Sequence, residues 1–432
     1  MQAYFSLIIL IVVFVTIAIR QALPIKIAIW QAMLFGALAV LITGSIPISG
    51  KRGAISAVMQ NWDVLSFLFG AFVIAEGLDI SGCLDKILCK LFGTMQSGFL
   101  ILFILMLLSA IGSAILMNDT IAIIGVPVIL YLANKSKNNN KMLYPLFFGL
   151  AISVTIGSNL SPIGNPQNLL IATSALSKPF VNFIDHLWLP SLINLIIAYI
   201  YLCLIYKKLL TEGFRIKKTS NTAHNKINKT YDFLGFLSKS SCILLFLLII
   251  LSVILANNKV SHILPFGLLS LIACLPILIF SRHRLYVLKK VDWQTLIFFI
   301  SLFVLIASVW NGGVLYLWAQ RYREYLLHLP SLMGVSILAS QVISNVPLVA
   351  LYLKVLSLPT HDGSLVSNNL YMALAASSTI AGNLSVMGAA SNVIIVHRLE
   401  KTSSFVLGCG RFFIVGTPLV LVNILVYYLF LK

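Results

Sequence analysis

The chain has 432 residues, of which 59% are hydrophobic and only 10% are charged, and its formal net charge is +18. This composition excludes an ordinary water-soluble protein, because repeated apolar runs near 20 residues are what a bilayer about 30 Å thick requires. The positive charge is better explained by Lys and Arg retained on one side of a membrane than by binding to nucleic acid. The six cysteines are scattered, without the spacing of a metal site or a disulfide framework.

The apolar pattern predicts an all-α polytopic membrane protein with about ten transmembrane helices and two re-entrant hairpins. The predicted spans are residues 3–20, 26–48, 63–80, 142–157, 187–206, 240–256, 262–280, 293–311, 368–381 and 405–431. The segments 98–134 and 331–358 are interrupted near their centres, so we interpret each as a hairpin that enters and leaves on one side. With the N-terminus outside, most basic residues then lie in the cytoplasm, as the positive-inside rule expects.

A polar motif inside the apolar sequence occurs twice. Residues 156–170 read IGSNLSPIGNPQNLL, and residues 381–394 read AGNLSVMGAASNVI. A shift of 224 residues superimposes Asn159 on Asn383, Leu160 on Leu384, Ser161 on Ser385, Gly164 on Gly388, and Asn168 on Asn392. A shift of 227 residues superimposes Ser113 on Ser340 and Asn118 on Asn345 in the two hairpins. Agreement in both motifs indicates a true internal repeat.

Each half is predicted to cross the membrane an odd number of times, so the second copy is inverted relative to the first. The predicted organisation is a first inverted repeat at 1–206 (hairpin 98–134, broken helix 142–176), a cytoplasmic linker at 207–239, and a second inverted repeat at 240–432 (hairpin 331–358, broken helix 368–400). Inverted-topology repeats with broken helices are typical of secondary transporters.

The polar motifs predict where the helices break. Pro162, Gly164 and Pro166 oppose a continuous helix through the first motif, because proline removes a donor and clashes with the preceding turn. Non-helical backbone inside a bilayer is tolerated only where protein or a water-filled cavity surrounds it. Helix amino ends suit an anion, whereas carboxyl ends and unwound carbonyls suit a small cation such as Na⁺. The sequence thus predicts a binding site without a catalytic group, and no enzyme is expected.

Asp119 is the carboxylate within these motifs, at the centre of the first hairpin. A charged carboxylate at mid-membrane is costly, which favours a functional role as a cation ligand or a proton carrier. The alternative is a structural cap that accepts N–H bonds from residues such as Ile121 and Ala122. The matching position in the second hairpin is Val346.

The chain resembles the ion transporter superfamily, which includes arsenite permeases, sodium/proton antiporters, citrate transporters and divalent anion/sodium symporters. The resemblance is carried by Asn118-Asp119-Thr120, SNLSPIGNPQN, Ser-Asn-Val-Pro and GNLSVMGAASN, and it runs from about residue 25 to the end. The symporters have Ser-Asn-Thr at both hairpin tips, whereas this chain has Asn-Asp-Thr and Ser-Asn-Val, which look more like the arsenite-permease and antiporter branch. Members of the superfamily are often homodimers.

In the superfamily the hairpin tips and the helix breaks together form the cation sites and the substrate site. Carried over by position, the resemblance implies substrate- or ion-binding roles for Ser113, Asn118, Asp119, Thr120, Ser158, Asn159, Ser161, Gly164, Asn165, Asn168, Ser340, Ser344, Asn345, Gly382, Asn383, Ser385, Gly388, Ser391 and Asn392. The candidate Na⁺ ligands are Asn118, Asp119, Asn159, Asn345 and Asn383.

The sequence therefore predicts a secondary active transporter of a small anion, either an inorganic oxyanion or arsenite or a carboxylate, coupled to H⁺ or Na⁺ by alternating access. A Na⁺/H⁺ antiporter is the alternative, and a passive channel is less favoured because no pore-residue ring or gate motif is present. The expected partners are the anion and the lipid bilayer, with no nucleic acid and no cofactor besides the coupling ion. The expected location is the plasma membrane, the inner membrane in a bacterium.

Overall fold

The protein was analysed as a computed structural model, which describes residues 2–19, 27–82, 92, 95–136, 139–212, 232–257, 264–358, 366–403 and 407–432. Within these ranges the chain consists of α-helices joined by turns and short 3-10 segments. The all-α polytopic fold that the sequence predicts is confirmed.

Ten helices lie before residue 212. They are α1 (Gln2–Ile19), α2 (Ile29–Ile42), α3 (Ala54–Gln60), α4 (Trp62–Ile80), α5 (Gly98–Leu116), α6 (Asn118–Lys135), α7 (Asn139–Ser158), α8 (Pro166–Ala175), α9 (Pro179–Ile205) and α10 (Lys207–Thr211) in the described part of the chain.

Eleven more follow from residue 232 onwards. They are α11 (Asp232–Asn257), α12 (Phe266–Phe280), α13 (Arg284–Lys290), α14 (Trp293–Asn311), α15 (Val314–Arg321), α16 (Arg323–Leu327), α17 (Leu329–Ile343), α18 (Asn345–Leu356), α19 (Asn368–Ile380), α20 (Ala390–Thr402) and α21 (Cys409–Leu431) in the described ranges. The 3-10 turns Ala381–Asn383 and Val386–Gly388 separate α19 from α20.

Six described helices are long and apolar enough to cross a membrane: Gly98–Leu116, Asn140–Ser158, Pro179–Ile205, Phe233–Leu255, Trp293–Asn311 and Gly410–Leu431. Shorter apolar helices accompany them, at Tyr4–Ile17, Ile29–Ile42, Phe266–Phe280, Leu329–Ile343 and Asn345–Leu356. Large apolar side chains such as Ile42, Leu204 and Ile414 are exposed on the outside of the bundle. An apolar exterior of this extent is suited to lipid, so the chain is a multi-pass membrane protein.

The two broken helices lie at the centre of the bundle. In α7, 89% of an apolar 18-residue stretch is buried inside the protein, whereas in α9 the corresponding share is 28%. Helix α7 packs against α5, α6, α9, α19 and α20. Close approach is possible because Gly157 has no side chain: a Cβ at this position would fall on the backbone of Ala110 in α5.

Helix packing corresponds between the two halves. Helix α4 packs on α12, and its counterpart α14 packs on α2. The second arm of each hairpin packs on the second segment of the other half's broken helix, α6 on α20 and α18 on α8. The first arm of each hairpin packs on its own half's broken helix, α5 on α7 and α17 on α19. The inverted orientation of the halves in a membrane stays a prediction.

Two helices begin eight residues before the predicted starts of their spans. Helix α9 begins at Pro179, eight residues before the predicted span at 187–206, because Pro179 sits at the first helical position, where proline is favoured. The predicted linker 207–239 contains helix α10 at its start and the first two turns of α11 at its end. The remaining residues of that linker, 213–231, lie outside the described residues.

Candidate functional site

The two hairpin tips share an unusual backbone conformation. Met117 has φ 71° and ψ 147°, and Ser344 has φ 70° and ψ 158°. These positions match under the 227-residue shift. For a residue with a side chain this region of φ and ψ is strained by about 1–3 kcal/mol, and such strain is often found at functional sites. The conformation directs the next residue, Asn118 or Asn345, into the protein as the first residue of the second arm, where each is buried.

The first hairpin is joined to the first broken helix. The Asn118 backbone N–H donates to the Gly164 carbonyl at 2.8 Å. The Ser113 hydroxyl donates to the Val154 carbonyl at 2.7 Å, and the Ser161 hydroxyl donates to the Ala114 carbonyl. The hairpin tip and the break therefore form one connected unit.

The first break is closed by asparagine side chains. Asn168 Nδ2 donates to the carbonyl oxygens of Ser158, at 3.0 Å, and Ser161, at 3.3 Å. Asn165 Oδ1 caps α8 by accepting the Asn168 backbone N–H at 2.8 Å, which satisfies a helix N-terminus. Gly164 approaches so closely that a Cβ would fall on the Ser158 backbone. The loop is thus tightly packed rather than open.

The second break repeats this arrangement at equivalent positions. Asn392 Nδ2 donates to the Gly382 carbonyl at 2.7 Å, the counterpart of the bond from Asn168 to Ser158. Ser385, the counterpart of Ser161, donates to Gln341 Oε1 at 2.8 Å. Gln341 lies where Ala114 lies in the first copy, and its Nε2 donates to Ala381 at 2.8 Å. Where the first copy uses a backbone carbonyl of the hairpin, the second uses a side chain.

Thr379 connects the two breaks. Its hydroxyl oxygen accepts bonds from Asn165 Nδ2 at 3.1 Å and from Gln167 Nε2 at 3.2 Å, across the boundary between the halves. The positions equivalent to the two amides are Ala389 and Ser391, so the second copy lacks these donors. The pseudo-symmetry is broken at the residues that hold the two breaks together.

We expect Thr379→Val to loosen this junction. Valine keeps the shape but removes an acceptor that two buried amides share. Asn165 Nδ2 keeps its bond to Ser158 Oγ, whereas Gln167 Nε2 loses its acceptor, and a buried donor without a partner costs about 1–3 kcal/mol. The midpoint of thermal unfolding in detergent should fall. Thr173→Val is the matched control, because among the described residues the Thr173 hydroxyl bonds only to the carbonyls of Leu169 and Leu170 in its own helix. Equal losses of stability in the two variants would contradict this role of Thr379.

A further group at the site comes from outside the motifs. Asn159 Nδ2 donates to Tyr427 Oη at 3.1 Å, and Tyr427 Oη lies 2.7 Å from Ser191 Oγ. Tyr427 lies in α21 and Ser191 in α9, the last helices of the two halves, and both side chains are buried. Sequence reasoning missed Tyr427, Thr379 and Gln341. Nothing in an apolar helix marks one tyrosine as a partner of a motif that lies so far away in the sequence.

Buried polar atoms without a hydrogen-bond partner collect on the predicted site residues. Within the described chain they include Asp119 Oδ1, Asn159 Oδ1, Asn168 Oδ1, Asn345 Oδ1, Asn392 Oδ1, both amide atoms of Asn383, and the hydroxyls of Ser340 and Ser391. In Asn168 and Asn392 the amide nitrogen is held by a carbonyl oxygen, which only accepts, so the amide orientation is determined and Oδ1 stays free. Most of these atoms are acceptors, and buried polar groups in native proteins normally have a partner.

The predicted site residues therefore divide into two groups. Most of them take part in the bonds above or present free acceptors, and the Ser158 hydroxyl in addition donates to the Thr155 carbonyl and accepts from Asn165. The others are Thr120, which is buried, Ser344, which forms the second tip, and Gly388, whose N–H donates to the Ser385 carbonyl at 3.0 Å. The structural-cap alternative for Asp119 is wrong, because the Ile121 N–H donates to the Met117 carbonyl and Asp119 Oδ1 has no partner.

The fold and the site define a polytopic membrane protein of the transporter class. The chain belongs to the citrate transporter family, whose model matches residues 8–365. This confirms the resemblance to the ion transporter superfamily that the motifs indicate.

Similar proteins are also transporters by name. An uncharacterized transporter of Mycobacterium tuberculosis is 26% identical over 354 residues, 80% of each chain. The putative transporter arsB of Dictyostelium discoideum is 32% identical over 154 residues, 34% of this chain and 26% of that one. Among solved structures, the antimetabolite efflux pump MtrF of Neisseria gonorrhoeae shares the fold, with a TM-score of 0.51 at 11% identity over 100% of this chain and 94% of that one.

Proposed function

We propose that this protein is a secondary active transporter that moves a small anion together with H⁺ or Na⁺ by alternating access. The observation that carries the proposal is the pair of equivalent helix breaks, each closed by an asparagine whose oxygen stays free. Broken helices at a repeat interface are where secondary transporters bind substrates and coupling ions.

The chemistry of the free atoms favours a hard cation as the coupling ion. Asn159, Asn168, Asn345 and Asn392 present amide oxygens, and Asp119 presents a carboxylate oxygen. Small hard cations prefer ligands of this kind, and unwound backbone carbonyls lie beside them. The proposed Na⁺ ligands remain Asn118, Asp119, Asn159, Asn345 and Asn383. Asn118 Oδ1 already accepts the Asp119 N–H at 2.9 Å and would bind the ion through its second lone pair.

The helix amino ends favour an anion as the cargo. Helices α18 and α20 begin at a hairpin tip and at a break, and neither has a side-chain hydrogen bond capping its amino end. Helix α6 is different, because its first two N–H groups are already bonded, Asn118 to the Gly164 carbonyl and Asp119 to Asn118 Oδ1. Uncapped ends such as those of α18 and α20 carry about half a positive charge and free N–H donors. A carboxylate or an oxyanion would find these donors beside the cation ligands, and membership in the citrate transporter family makes citrate the first candidate.

Reconstitution into liposomes tests the proposal. We expect uptake of one anion among citrate, succinate, sulfate, phosphate and arsenite, and we expect an imposed Na⁺ or pH gradient to drive it. Anion flux that does not depend on either gradient would indicate a channel instead. The second candidate, a Na⁺/H⁺ antiporter, is favoured by the free carboxylate of Asp119, and Na⁺-driven proton movement without anion flux would establish it.

Ser391 offers a sharper test of anion binding. Ser391 lies in the first turn of α20, and its hydroxyl is buried and has no hydrogen-bond partner in the described chain. We expect Ser391→Ala to leave thermal stability unchanged or slightly raised, while the concentration of the transported anion for half-maximal uptake rises about fivefold to twentyfold, as loss of one hydrogen bond from the hydroxyl to a charged ligand implies.

The matched control is Ser377→Ala, because the Ser377 hydroxyl is equally buried but donates to Ala373 of its own helix. An unchanged half-maximal anion concentration in Ser391→Ala would remove Ser391 from the anion site.

A further inference from the structure

A cavity of about 210 Å³ lies away from the breaks, on the side of the bundle where the second hairpin begins and ends. Helices α8, α14, α18 and α19 form its walls together with α3 and the residue that follows it. Its polar lining residues are Gln60, Asn61, Ser174, Lys354, Ser357 and Tyr371. Gln60, Ser174 and Ser357 are exposed, so the cavity opens to the surface.

The lining of this cavity is cationic. Lys354 supplies a positive charge, and none of the residues that line the cavity is acidic. Within the described chain no carboxylate pairs with the Lys354 ammonium. The amides and hydroxyls around it are neutral donors, which an anion can also use.

A second cation lies beside the cavity. Arg323 in α16 is only 8% exposed, and its Nη2 donates to the Leu358 carbonyl at 2.7 Å, one residue beyond the lining residue Ser357. Its Nε has no hydrogen-bond partner within the described residues. The Arg323 charge interacts electrostatically with the hydroxyl of Tyr371, which lines the cavity. Burial of a guanidinium next to a cavity without carboxylates makes the local potential positive, because low-dielectric walls screen the charge poorly.

The cavity and the breaks share the same helices. Lys354 lies nine residues after the hairpin tip residue Asn345 in α18, which is about 13 Å along a helix axis. Ser174 lies eight residues after Pro166 in α8, which is about 12 Å from the first break. Helices α8, α18 and α19 pack on one another between these points. An anion held at Lys354 would therefore lie about 13 Å from the second hairpin tip, which belongs to the proposed site.

We propose that this cavity is an anion-binding vestibule, in which a small carboxylate or oxyanion is held by the Lys354 ammonium and the neighbouring polar groups before it reaches the breaks. The claim that this cavity lies on the route of the transported anion rests on the anion transport proposed above. In this proposal, Lys354 raises the local concentration of the anion near the opening of the cavity, and ion coupling takes place at the breaks.

Cysteine labelling measures the potential in the cavity without any transport. Ser174→Cys is modified with a negatively charged and with a positively charged methanethiosulfonate reagent, and mass spectrometry follows the peptide that contains residue 174. We expect Lys354→Gln to lower the ratio of anionic to cationic labelling rates about tenfold, as one nearby charge in a partly shielded site implies. Lys354→Arg should keep the ratio.

Lys289→Gln is the matched control, because it removes the same charge from an exposed position in α13, outside the cavity lining. Citrate or sulfate should slow anionic labelling with Lys354 in place and fail to do so in Lys354→Gln. An unchanged ratio in Lys354→Gln, an equal fall in Lys289→Gln, or no protection by either anion would overturn the vestibule. Labelling of Ser357→Cys repeats the test, and failure of both reagents to reach either position would also overturn it.

Uptake measurements separate this inference from the proposed function. If the vestibule acts on the route, Lys354→Gln should raise the KM for the transported anion with a smaller change in the maximal rate. Gradient-driven uptake together with a labelling ratio that does not change in Lys354→Gln would overturn the vestibule and leave the proposed function standing. A Lys354-dependent ratio and anion protection in a protein that transports no anion would overturn the proposed function and leave the anion site.

Discussion

Replacement of Asp119 by Asn is expected to abolish ion-driven uptake while the protein still folds and inserts. Asparagine has nearly the same shape, and Asp119 Oδ1 has no hydrogen-bond partner whose loss would unfold the tip. The change removes the charge that, in the function proposed above, binds a cation or carries a proton. Coupling free energies of about 1–3 kcal/mol correspond to about 5–150-fold changes in affinity, and we expect an effect near the upper end because the carboxylate is unique within the paired motifs.

The measurement is uptake into liposomes at several Na⁺ concentrations and pH values, with expression and thermal stability followed in parallel. Asp185→Asn serves as the control, because it removes an exposed carboxylate from α9. If uptake by Asp119→Asn kept its full dependence on Na⁺ or pH, the coupling role of Asp119 would be wrong. Retained anion uptake that no longer responds to either gradient would support it most directly.

Replacement of Gly157 by Ala is expected to be among the most destabilising single-carbon additions in the protein. The new Cβ would fall on the Ala110 backbone, and backbone cannot rotate away as a flexible side chain can. Overpacking in a close-packed interior costs about 1–3 kcal/mol. Because this contact holds α5 against α7, the added Cβ should also displace the first hairpin from the first break and reduce uptake.

Gly334→Ala in α17 is the matched control, because nothing lies within 4 Å of a Cβ built there. Alanine is favoured over glycine in a helix by up to about 1 kcal/mol, so this variant should be as stable as the parent or more so. Thermal unfolding in detergent compares the two. A Gly157→Ala protein as stable as Gly334→Ala would contradict the close approach of α5 and α7.

The order of helices and breaks was accessible from the sequence because its signals are local. Apolar runs, interrupted by Asn, Gly and Pro, predicted both hairpins and both broken helices, and the described helices α5 to α8 and α17 to α20 occupy those segments. The start of α9 was not accessible, since Pro179 and the polar residues after it resemble a loop. The end of the linker was missed in the same way, because the first turns of α11 are partly polar.

The sequence by itself determined which residues would be polar within the membrane, and the internal repeat paired them. Only the tertiary structure decided which partner each of these polar side chains contacts. Asn165 and Gln167 reach Thr379, and Asn159 reaches Tyr427, because helices distant in sequence pack side by side. It also decided which asparagine oxygens stay free, since an amide is oriented by whichever neighbour holds its nitrogen. That choice depends on contacts between elements, and no local pattern of residue types records it.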